Sequence, residues 1–207
     1  MKLKVCGINN ADFAVKAAEL GVDYLGFIFH PSSPRHVTVE QAKAISKVVP
    51  RCVSPEQPSE ATQPKAAGNR LKPVLVGVFV KQSVDEILAT MRVAQLDIVQ
   101  LHRRATAEDV AAIRAAGYEV WTLAGGAPGD GVLFDSSHGD GETDFRKGDY
   151  TAILAGRIGV DNLAEVLALK PDLLDVNSSL ETAPGVKSID RLVRFLDSLD
   201  AETALCL

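Results

Sequence analysis

Three residues that can transfer protons or bind anions stand at the ends of short apolar runs or just after one. Cys6 ends the run KLKVC and is followed by Gly7, Asp135 ends VLFD, and Arg35 ends the loop segment SSPR. A thiolate can act as a base or a nucleophile, and a carboxyl group in apolar surroundings tends to keep its proton for use as an acid. The planar guanidinium of arginine suits a carboxylate. If the three meet in one site, they indicate acid–base chemistry on an anionic substrate.

Each of these residues also has a plainer interpretation. A lone cysteine is most often a small buried residue, a strand-terminal aspartate can cap a turn, and a loop arginine can simply be exposed. The cysteines, Cys6, Cys52 and Cys206, show no C-x-x-C spacing, so neither a disulfide framework nor a zinc cluster is predicted. The functional interpretation therefore depends on several residues converging.

Small residues follow the last two apolar runs of the chain. The segments AGRIG (155–159) and NSSLETAPG (177–185) would let backbone N–H groups approach a ligand closely. A barrel of alternating strands and helices often binds phosphate at this place. Glycine and serine can also merely form turns. The predicted phosphate-binding residues are Gly156, Arg157, Ser178 and Ser179.

Strand-like and helix-like segments alternate along the chain, which favours right-handed crossovers and a parallel sheet. The apolar runs predict strands at Leu3–Cys6, Tyr24–Phe29, Pro73–Val80, Ile98–His102, Glu119–Leu123, Val132–Asp135, Ala152–Ala155 and Leu173–Val176. Helical spacing predicts helices at Asn10–Leu20, Val39–Val49, Val84–Met91, Ala107–Ala116, Asn162–Leu169 and Ser188–Leu199. Eight such units predict a closed (β/α)8 TIM barrel. An open, doubly wound sheet with fewer strands is the alternative.

The pattern has three irregularities. AGGAPGD, between the fifth and sixth strands, is too short for a helix, so helix five should be missing. The polar, glycine-rich stretch from Ser136 to Asp149 predicts a helix six that is short or absent. Residues 50–72 hold four prolines without periodicity, which predicts a flexible surface insertion in a single domain spanning 1–207.

Composition limits the partners. The chain has 207 residues, 46% of them hydrophobic and 24% charged, with a net charge of −5 and a pI near 5.4. A protein of this charge is not expected to bind nucleic acid or an anionic membrane. No apolar stretch reaches the roughly 18 residues of a membrane span, and the N-terminus lacks a secretory signal pattern. The sequence therefore predicts a cytoplasmic protein with a small-molecule substrate.

The combination of motifs is more specific than its parts, and it resembles the phosphoribosylanthranilate isomerase family of tryptophan biosynthesis. The resemblance covers nearly the whole chain, and the pairing of K-x-C-G with S-x-R-x-V is its most specific feature. The matching segments are KVCGI (4–8), GFIFHPSSPRHV (26–37), VGVFV (76–80), QLH (100–102), LFDS (133–136), AGRI…DN (155–162) and DVNSSLETAPGVK (175–187).

The resemblance implies an Amadori rearrangement, in which an aldose becomes a ketose. By this resemblance Asp135 is the general acid, Cys6 is the general base and Arg35 binds the anthranilate carboxylate. His102 and Asp175 are assigned to substrate binding, with Asp175 near the ribose hydroxyls. No metal or organic cofactor is implied, because the imine intermediate accepts the electrons. Lys4 points to the same side of its strand as Cys6 and is expected to be the positive neighbour that helps the thiol ionise.

Some positions depart from the family pattern. Arg157 and Ser179 stand where the family usually has glycine, and Arg103 follows QLH in place of a glycine. If the residue at 179 needs a positive φ, serine is strained there. These changes predict a divergent member with intact chemistry and with weaker phosphate affinity or altered specificity.

Three other functions stay open at this point. One is a dual-substrate phosphoribosyl isomerase that also serves histidine synthesis, although related barrels of that kind carry aspartate where Cys6 stands. Another is a non-catalytic phosphosugar-binding barrel. A metal-dependent epimerase would need more histidines at strand ends than this chain has. The chain is expected to be a monomer or a homodimer.

Overall fold

The computed structural model describes residues 1–50, 73–136, 145 and 148–205. The predicted insertion at 50–72 lies outside these residues, apart from Pro50. Most of the segment between the sixth and seventh strands is likewise outside them, so the prediction of a short or absent helix six cannot be compared with the structure. All eight predicted strands and all six predicted helices fall within the described ranges.

Eight parallel strands form a closed barrel in which every strand pairs with the next along the chain and the last pairs with the first. They are β1 (Lys2–Cys6), β2 (Tyr24–Ile28), β3 (Val74–Phe79), β4 (Ile98–Leu101), β5 (Glu119–Leu123), β6 (Gly131–Asp135), β7 (Thr151–Ala155) and β8 (Leu173–Val176). The predicted (β/α)8 barrel is confirmed, and the open-sheet alternative is wrong. The strands are buried on both faces, which explains why they are nearly continuous apolar runs.

Helices cover the outside of the barrel. They are α1 (Ala11–Glu19), α2 (Val39–Val48), α3 (Val84–Ala94), α4 (Ala107–Ala115), α5 (Leu163–Ala168) and α6 (Ile189–Leu205). A turn at 124–130 joins β5 to β6, so the missing helix five is confirmed. Two features were not predicted. Short 3-10 helices precede α5 and follow β8, and a small hairpin of β9 (Glu181–Ala183) and β10 (Val186–Lys187) leads into α6.

Side-chain caps fix where the helices begin. The helices α2, α3 and α4 each start with a capping box, in which a hydroxyl and a carboxyl or amide group satisfy backbone N–H groups of the first turn. The pairs are Thr38–Gln41, Ser83–Glu86 and Thr106–Asp109. Among the described helices, none is long and apolar enough to cross a membrane.

The barrel interior changes character along its axis. Its lower and middle layers are apolar and include Val76, Ile98, Trp121, Leu133 and Leu173. Toward the carboxyl ends of the strands, the buried interior positions become polar and are occupied by Lys4, Gln100 and Asp175. Burying polar groups is costly unless they are paired, so this upper layer is where function is expected in a barrel.

At the opposite end of the barrel, an aspartate precedes every second strand and ties it to the strand before. Each aspartate accepts the backbone N–H of a residue on the preceding strand and donates its own N–H to that residue's carbonyl oxygen. The carboxylate bonds are 2.8–2.9 Å long. The pairs are Asp23 with Leu3, Asp97 with Leu75, Asp130 with Val120 and Asp172 with Ala152. The motif repeats once for every two βα units and pins the strands in register.

Replacing Asp97 by Ala should destabilise the fold without changing catalysis. The substitution leaves the N–H of Leu75, a fully buried residue, without its acceptor. The expected loss in the free energy of unfolding is about 1–3 kcal/mol, measured by urea denaturation. Turnover per folded molecule should stay at the wild-type level, because Asp97 lies at the end of the barrel away from the polar layer. A large fall in turnover with unchanged stability would contradict this role.

Candidate active site

A cavity of about 410 Å³ opens at the carboxyl ends of the strands. This volume falls within the range of small-molecule sites. Every residue predicted for the site lines this cavity except Ser179, whose backbone neighbour Ser178 does line it. The predicted residues that converge are Cys6, Arg35, His102, Asp135, Gly156, Arg157, Asp175 and Ser178. These residues lie at the ends of six of the eight strands or in the loops that follow them, and all of them line the same cavity.

The positions next to Cys6 are occupied by glycine because neighbouring side chains leave no room for a Cβ atom there. Gly7 adopts a φ of +77°, and a Cβ there would meet the Arg35 side chain at 2.8 Å. Gly26, opposite Cys6 on β2, could not carry a side chain either, because its Cβ would lie 2.9 Å from the sulfur of Cys6 and 3.1 Å from Cε of Lys4. The thiol, the lysine and the arginine therefore share space that only glycine leaves free.

Lys4 is wholly buried beneath the cavity. Its Nζ lies 2.6 Å from Oδ2 of Asp175, with no exposed area on the lysine side chain and 6% on that of the aspartate. Burial lowers the pKa of Lys4, but the charges of Asp175 and Cys6 outweigh burial and hold it above its ordinary value. Lys4 therefore carries a positive charge close to the Cys6 thiol, as strand alternation predicted.

The surroundings of Cys6 do not favour the ionisation that was expected of it. Burial raises the pKa of the thiol, the charge on Lys4 lowers it, and the nearby carboxylate of Asp175 raises it again. The net pKa is above that of an ordinary thiol, because burial outweighs the cation. The positive neighbour is present, but its charge does not compensate for the low polarity around the sulfur.

Asp135 and His102 face each other across the cavity. Nε2 of His102 lies 3.7 Å from Oδ2 of Asp135, and both side chains are mostly buried. Asp135 is the last residue of β6, and the next residue, Ser136, bonds through its hydroxyl to the carbonyl oxygen of Gly156 at 3.1 Å. That bond links the end of β6 to the loop after β7, so the candidate acid and the glycine-containing loop are held together.

A charged network that was not predicted surrounds Arg35. Its Nε and Nη2 each donate to a carboxylate oxygen of Glu181 at 2.7 Å, and Nζ of Lys187 donates to the same carboxylate at 2.6 Å. Lys187 also donates to the side-chain oxygen of Asn177 at 2.7 Å. Glu181 and Lys187 lie in the motif DVNSSLETAPGVK without having been given a role. Their opposite charges, six positions apart in that motif, were the signal in the sequence that could have identified them.

Glu181 is held ionised by this network. Burial raises its pKa, but the hydrogen bonds and charges of Arg35 and Lys187 outweigh burial and lower the pKa to about 2. The two bonds from Arg35 use two of the five N–H groups of its guanidinium. The remaining donors are those that can reach a ligand in the cavity, into which Arg35 also faces.

Backbone strain occurs in the loop after β7, not at Ser179. Gly156 and Arg157 have φ values of +99° and +53°, whereas Ser179 does not have a positive φ. The strain expected from serine at 179 is therefore absent. Arginine is a costly residue in the left-handed region, and the exposed Arg157 faces the cavity from that conformation. Strain of this kind is typical of ligand-binding loops.

Comparisons with known proteins identify the family of the chain. A family model described as N-(5'-phosphoribosyl)anthranilate (PRA) isomerase matches residues 3–198. The chain is 33% identical to the N-(5'-phosphoribosyl)anthranilate isomerase of Deinococcus radiodurans and 31% identical to that of Campylobacter jejuni, and it covers 96% and 98% of their lengths. The chain belongs to the phosphoribosylanthranilate isomerase family.

A solved structure agrees with this membership. The phosphoribosyl anthranilate isomerase of Thermus thermophilus is 30% identical and superimposes with a TM-score of 0.74 over the full length of both chains. The resemblance read from the sequence is confirmed, and with it the enzyme class, an isomerase. The roles of the individual site residues stay predictions. So do the oligomeric state and the lack of a cofactor.

The charged network predicts a loss of stability in acid. Because Glu181 has a pKa of about 2 in the folded protein against 4.5 ordinarily, it favours the folded state above pH 4.5. This contribution is lost as the pH falls toward 2. Replacing Glu181 by Gln should lower the free energy of unfolding at neutral pH, and the gap to wild type should shrink across that window. Urea denaturation at a series of pH values measures it.

The matched control is Glu165→Gln, which changes an exposed carboxylate on α5. The free energy of unfolding of this variant should equal that of the wild type at every pH of the series. A gap between wild type and Glu181→Gln that stayed constant through the acid window would show that the charge of Glu181 is not what stabilises the network.

Proposed function

We propose that this chain converts N-(5-phosphoribosyl)anthranilate to 1-(2-carboxyphenylamino)-1-deoxyribulose 5-phosphate in tryptophan biosynthesis, with Cys6 as general base and Asp135 as general acid. The observation that carries the proposal is the convergence of a thiol and a carboxyl group, from β1 and β6, on one cavity. Family membership supplies the reaction, and the residues of this chain supply a way to perform it.

The first step opens the ribose ring. Asp135 donates a proton to the ring oxygen, the bond from that oxygen to C1 breaks, and the nitrogen lone pair forms the C1=N bond of a protonated Schiff base. His102, 3.7 Å from the Asp135 carboxylate, supports this step by keeping the carboxyl group oriented toward the cavity. General acid catalysis of this kind typically contributes a factor of about 10²–10⁴.

The second step moves a proton from C2. The Cys6 thiolate removes the C2 hydrogen, and the electron pair neutralises the iminium nitrogen to give an enolamine. The Cys6 thiol then returns that proton to C1, and the C2 hydroxyl proton goes to the Asp135 carboxylate, which gives the ketone and restores both groups. The iminium is a positive charge beside the sulfur, and a neighbouring positive charge favours the thiolate. This offsets the burial that raises the pKa of Cys6.

The remaining residues hold the two anionic ends and the sugar. The N–H groups of Arg35 that do not bond Glu181 bind the anthranilate carboxylate, and the Glu181 network fixes the guanidinium plane. The loops at Gly156–Arg157 and Ser178–Ser179 bind the phosphate through backbone N–H groups. Asp175 accepts from a ribose hydroxyl through Oδ1, a buried atom that accepts no hydrogen bond from any described residue.

Replacing Cys6 by Ser, or Asp135 by Asn, should lower kcat about 10²–10⁴-fold while the fold is retained. A serine hydroxyl is a far weaker acid than a thiol and supplies no usable base, and an asparagine amide is not acidic enough to protonate the ring oxygen. The assay is the decay of anthranilate fluorescence with the substrate generated in situ, together with circular dichroism of each variant. The kcat/KM of the wild type should also increase toward alkaline pH, because the thiol of the free enzyme has a raised pKa.

Asp197→Asn, which changes an exposed aspartate on α6, serves as the control and should keep full activity. Near-normal turnover by Cys6→Ser would remove Cys6 from the mechanism. If the wild type is folded and binds product but causes no decrease in anthranilate fluorescence, the non-catalytic phosphosugar-binding barrel would be favoured. Turnover of a histidine-pathway aminoaldose as well would favour the dual-substrate isomerase.

We also propose that Arg157 adds a charge contact to the phosphate. Arg157→Gly should raise KM severalfold to about tenfold, as expected for losing a partly exposed charge-assisted hydrogen bond. kcat should be little changed. The same substitution should stabilise the protein by about 0.5–1 kcal/mol, because glycine relieves a φ of +53°.

Lys170→Gly is the matched control, since Lys170 has a φ of +54° and does not line the cavity. It should give a similar gain in the free energy of unfolding without a change in KM. A lower KM for Arg157→Gly would mean that the arginine crowds the phosphate.

A further inference from the structure

One polar group in the cavity is used by none of the steps above. Gln100 lies on β4, is 2% exposed, and lines the cavity. Its side-chain oxygen, Oε1, is buried and accepts no hydrogen bond from any of the described residues. The residues paired with it in the sheet are Val78 on β3 and Trp121 on β5. Val78 has no side-chain donor, and the indole N–H of Trp121 is bonded to Glu119.

An unsatisfied buried carbonyl is costly, so its presence calls for an explanation. An apolar side chain of the same length would fill the position without that cost, as valine, isoleucine and leucine do elsewhere in the barrel interior. Asp175, on β8 across the barrel, faces the same cavity with its own unsatisfied acceptor, Oδ1. Two buried acceptors on opposite walls indicate a ligand that donates hydrogen bonds in the middle of the site.

The donors of the proposed substrate lie in its central part, in the hydroxyl groups of the sugar and the N–H group next to C1. Its phosphate and carboxylate ends are ionised and accept hydrogen bonds, whereas the opened sugar chain between them carries hydroxyl groups. We infer that Oε1 of Gln100 accepts a hydrogen bond from a hydroxyl of the open sugar chain, which makes Gln100 a substrate-positioning residue. This inference rests on the proposed function and adds a residue to it.

A positioning role and a structural role predict opposite changes in stability. If the acceptor exists for the ligand, replacing it by an apolar group of similar shape removes an unsatisfied polar atom from the free protein. Stability is then unchanged or higher while binding is weaker, a trade-off typical of functional sites. If the carbonyl has a partner inside the protein, the same substitution lowers stability.

The test is Gln100→Met, which keeps the length of the side chain and removes the acceptor. We expect a melting temperature equal to or above that of the wild type, and a kcat/KM lowered roughly tenfold, as for one lost hydrogen bond to the ligand. The loss should appear mainly in KM for a hydroxyl that the closed ring also carries, and mainly in kcat for the hydroxyl that forms only when the ring opens. Calorimetric titration with the product should give a Kd raised by a similar factor.

Thr122→Val is the control for removing a buried polar atom that is used within the protein. Thr122 is fully buried on β5, its Oγ1 accepts the N–H of Gly129 at 3.0 Å, and it does not line the cavity. This variant should melt at a lower temperature with kcat/KM unchanged.

Two results would overturn the assignment of Gln100. One is a lower melting temperature of Gln100→Met, with or without loss of turnover, because the carbonyl would then have a partner in the fold. The other is unchanged kcat/KM and unchanged product affinity. A wild type that binds product without turnover would contradict the proposed catalysis alone, and the comparison of Kd values would still decide the role of Gln100. A wild type that binds neither substrate nor product would overturn both proposals.

Discussion

The buried ion pair between Lys4 and Asp175 is the constraint on which both the barrel and its site depend. The two residues are register partners on β1 and β8, the strands that close the barrel, and their charged atoms are 2.6 Å apart. A charge taken out of water is strongly destabilising unless it is paired. A register slip of one residue would turn Lys4 out of the interior and leave the carboxylate unpaired. Correct closure of the barrel and assembly of the polar layer beneath Cys6 are therefore the same event.

The fold could be predicted because strands buried on both faces are continuous apolar runs, and because a loop of seven residues after β5 leaves no room for a helix. The repeat of aspartates is visible in the sequence, since Asp23, Asp97, Asp130 and Asp172 each stand just before or near the start of an apolar run. The structural role of these aspartates could not be predicted, because their hydrogen bonds join residues that are 10 to 22 positions apart in the sequence. The hairpin after β8 could not be predicted, because its strands are only three and two residues long.

The convergence of the site residues follows from the topology, since parallel strands end at the same face of a barrel. Their electrostatics do not follow from position. The alternation of side chains along β1 correctly predicted that Lys4 lies beside Cys6. The direction in which the pKa of the Cys6 thiol changes depends on how completely the sulfur is buried, and no local sequence pattern contains that information. The role of Glu181 was missed for a similar reason, because its partners Arg35 and Lys187 come from a distant loop and from the other strand of a hairpin.

The pairing of the charged groups determines how strongly the cavity attracts an anionic substrate. Lys4 is paired with Asp175, while Arg35 and Lys187 share Glu181, so the two buried lysines and the partly exposed Arg35 are largely compensated by carboxylates of the protein. A substrate with a carboxylate and a phosphate therefore gains little from them at long range. Arg157 forms no ion pair within the described part of the chain and is exposed at the mouth. Among the described residues, its charge is therefore the one at the mouth that is free to attract an anionic substrate over a distance. This role accounts for an arginine being kept in a strained conformation with a positive φ.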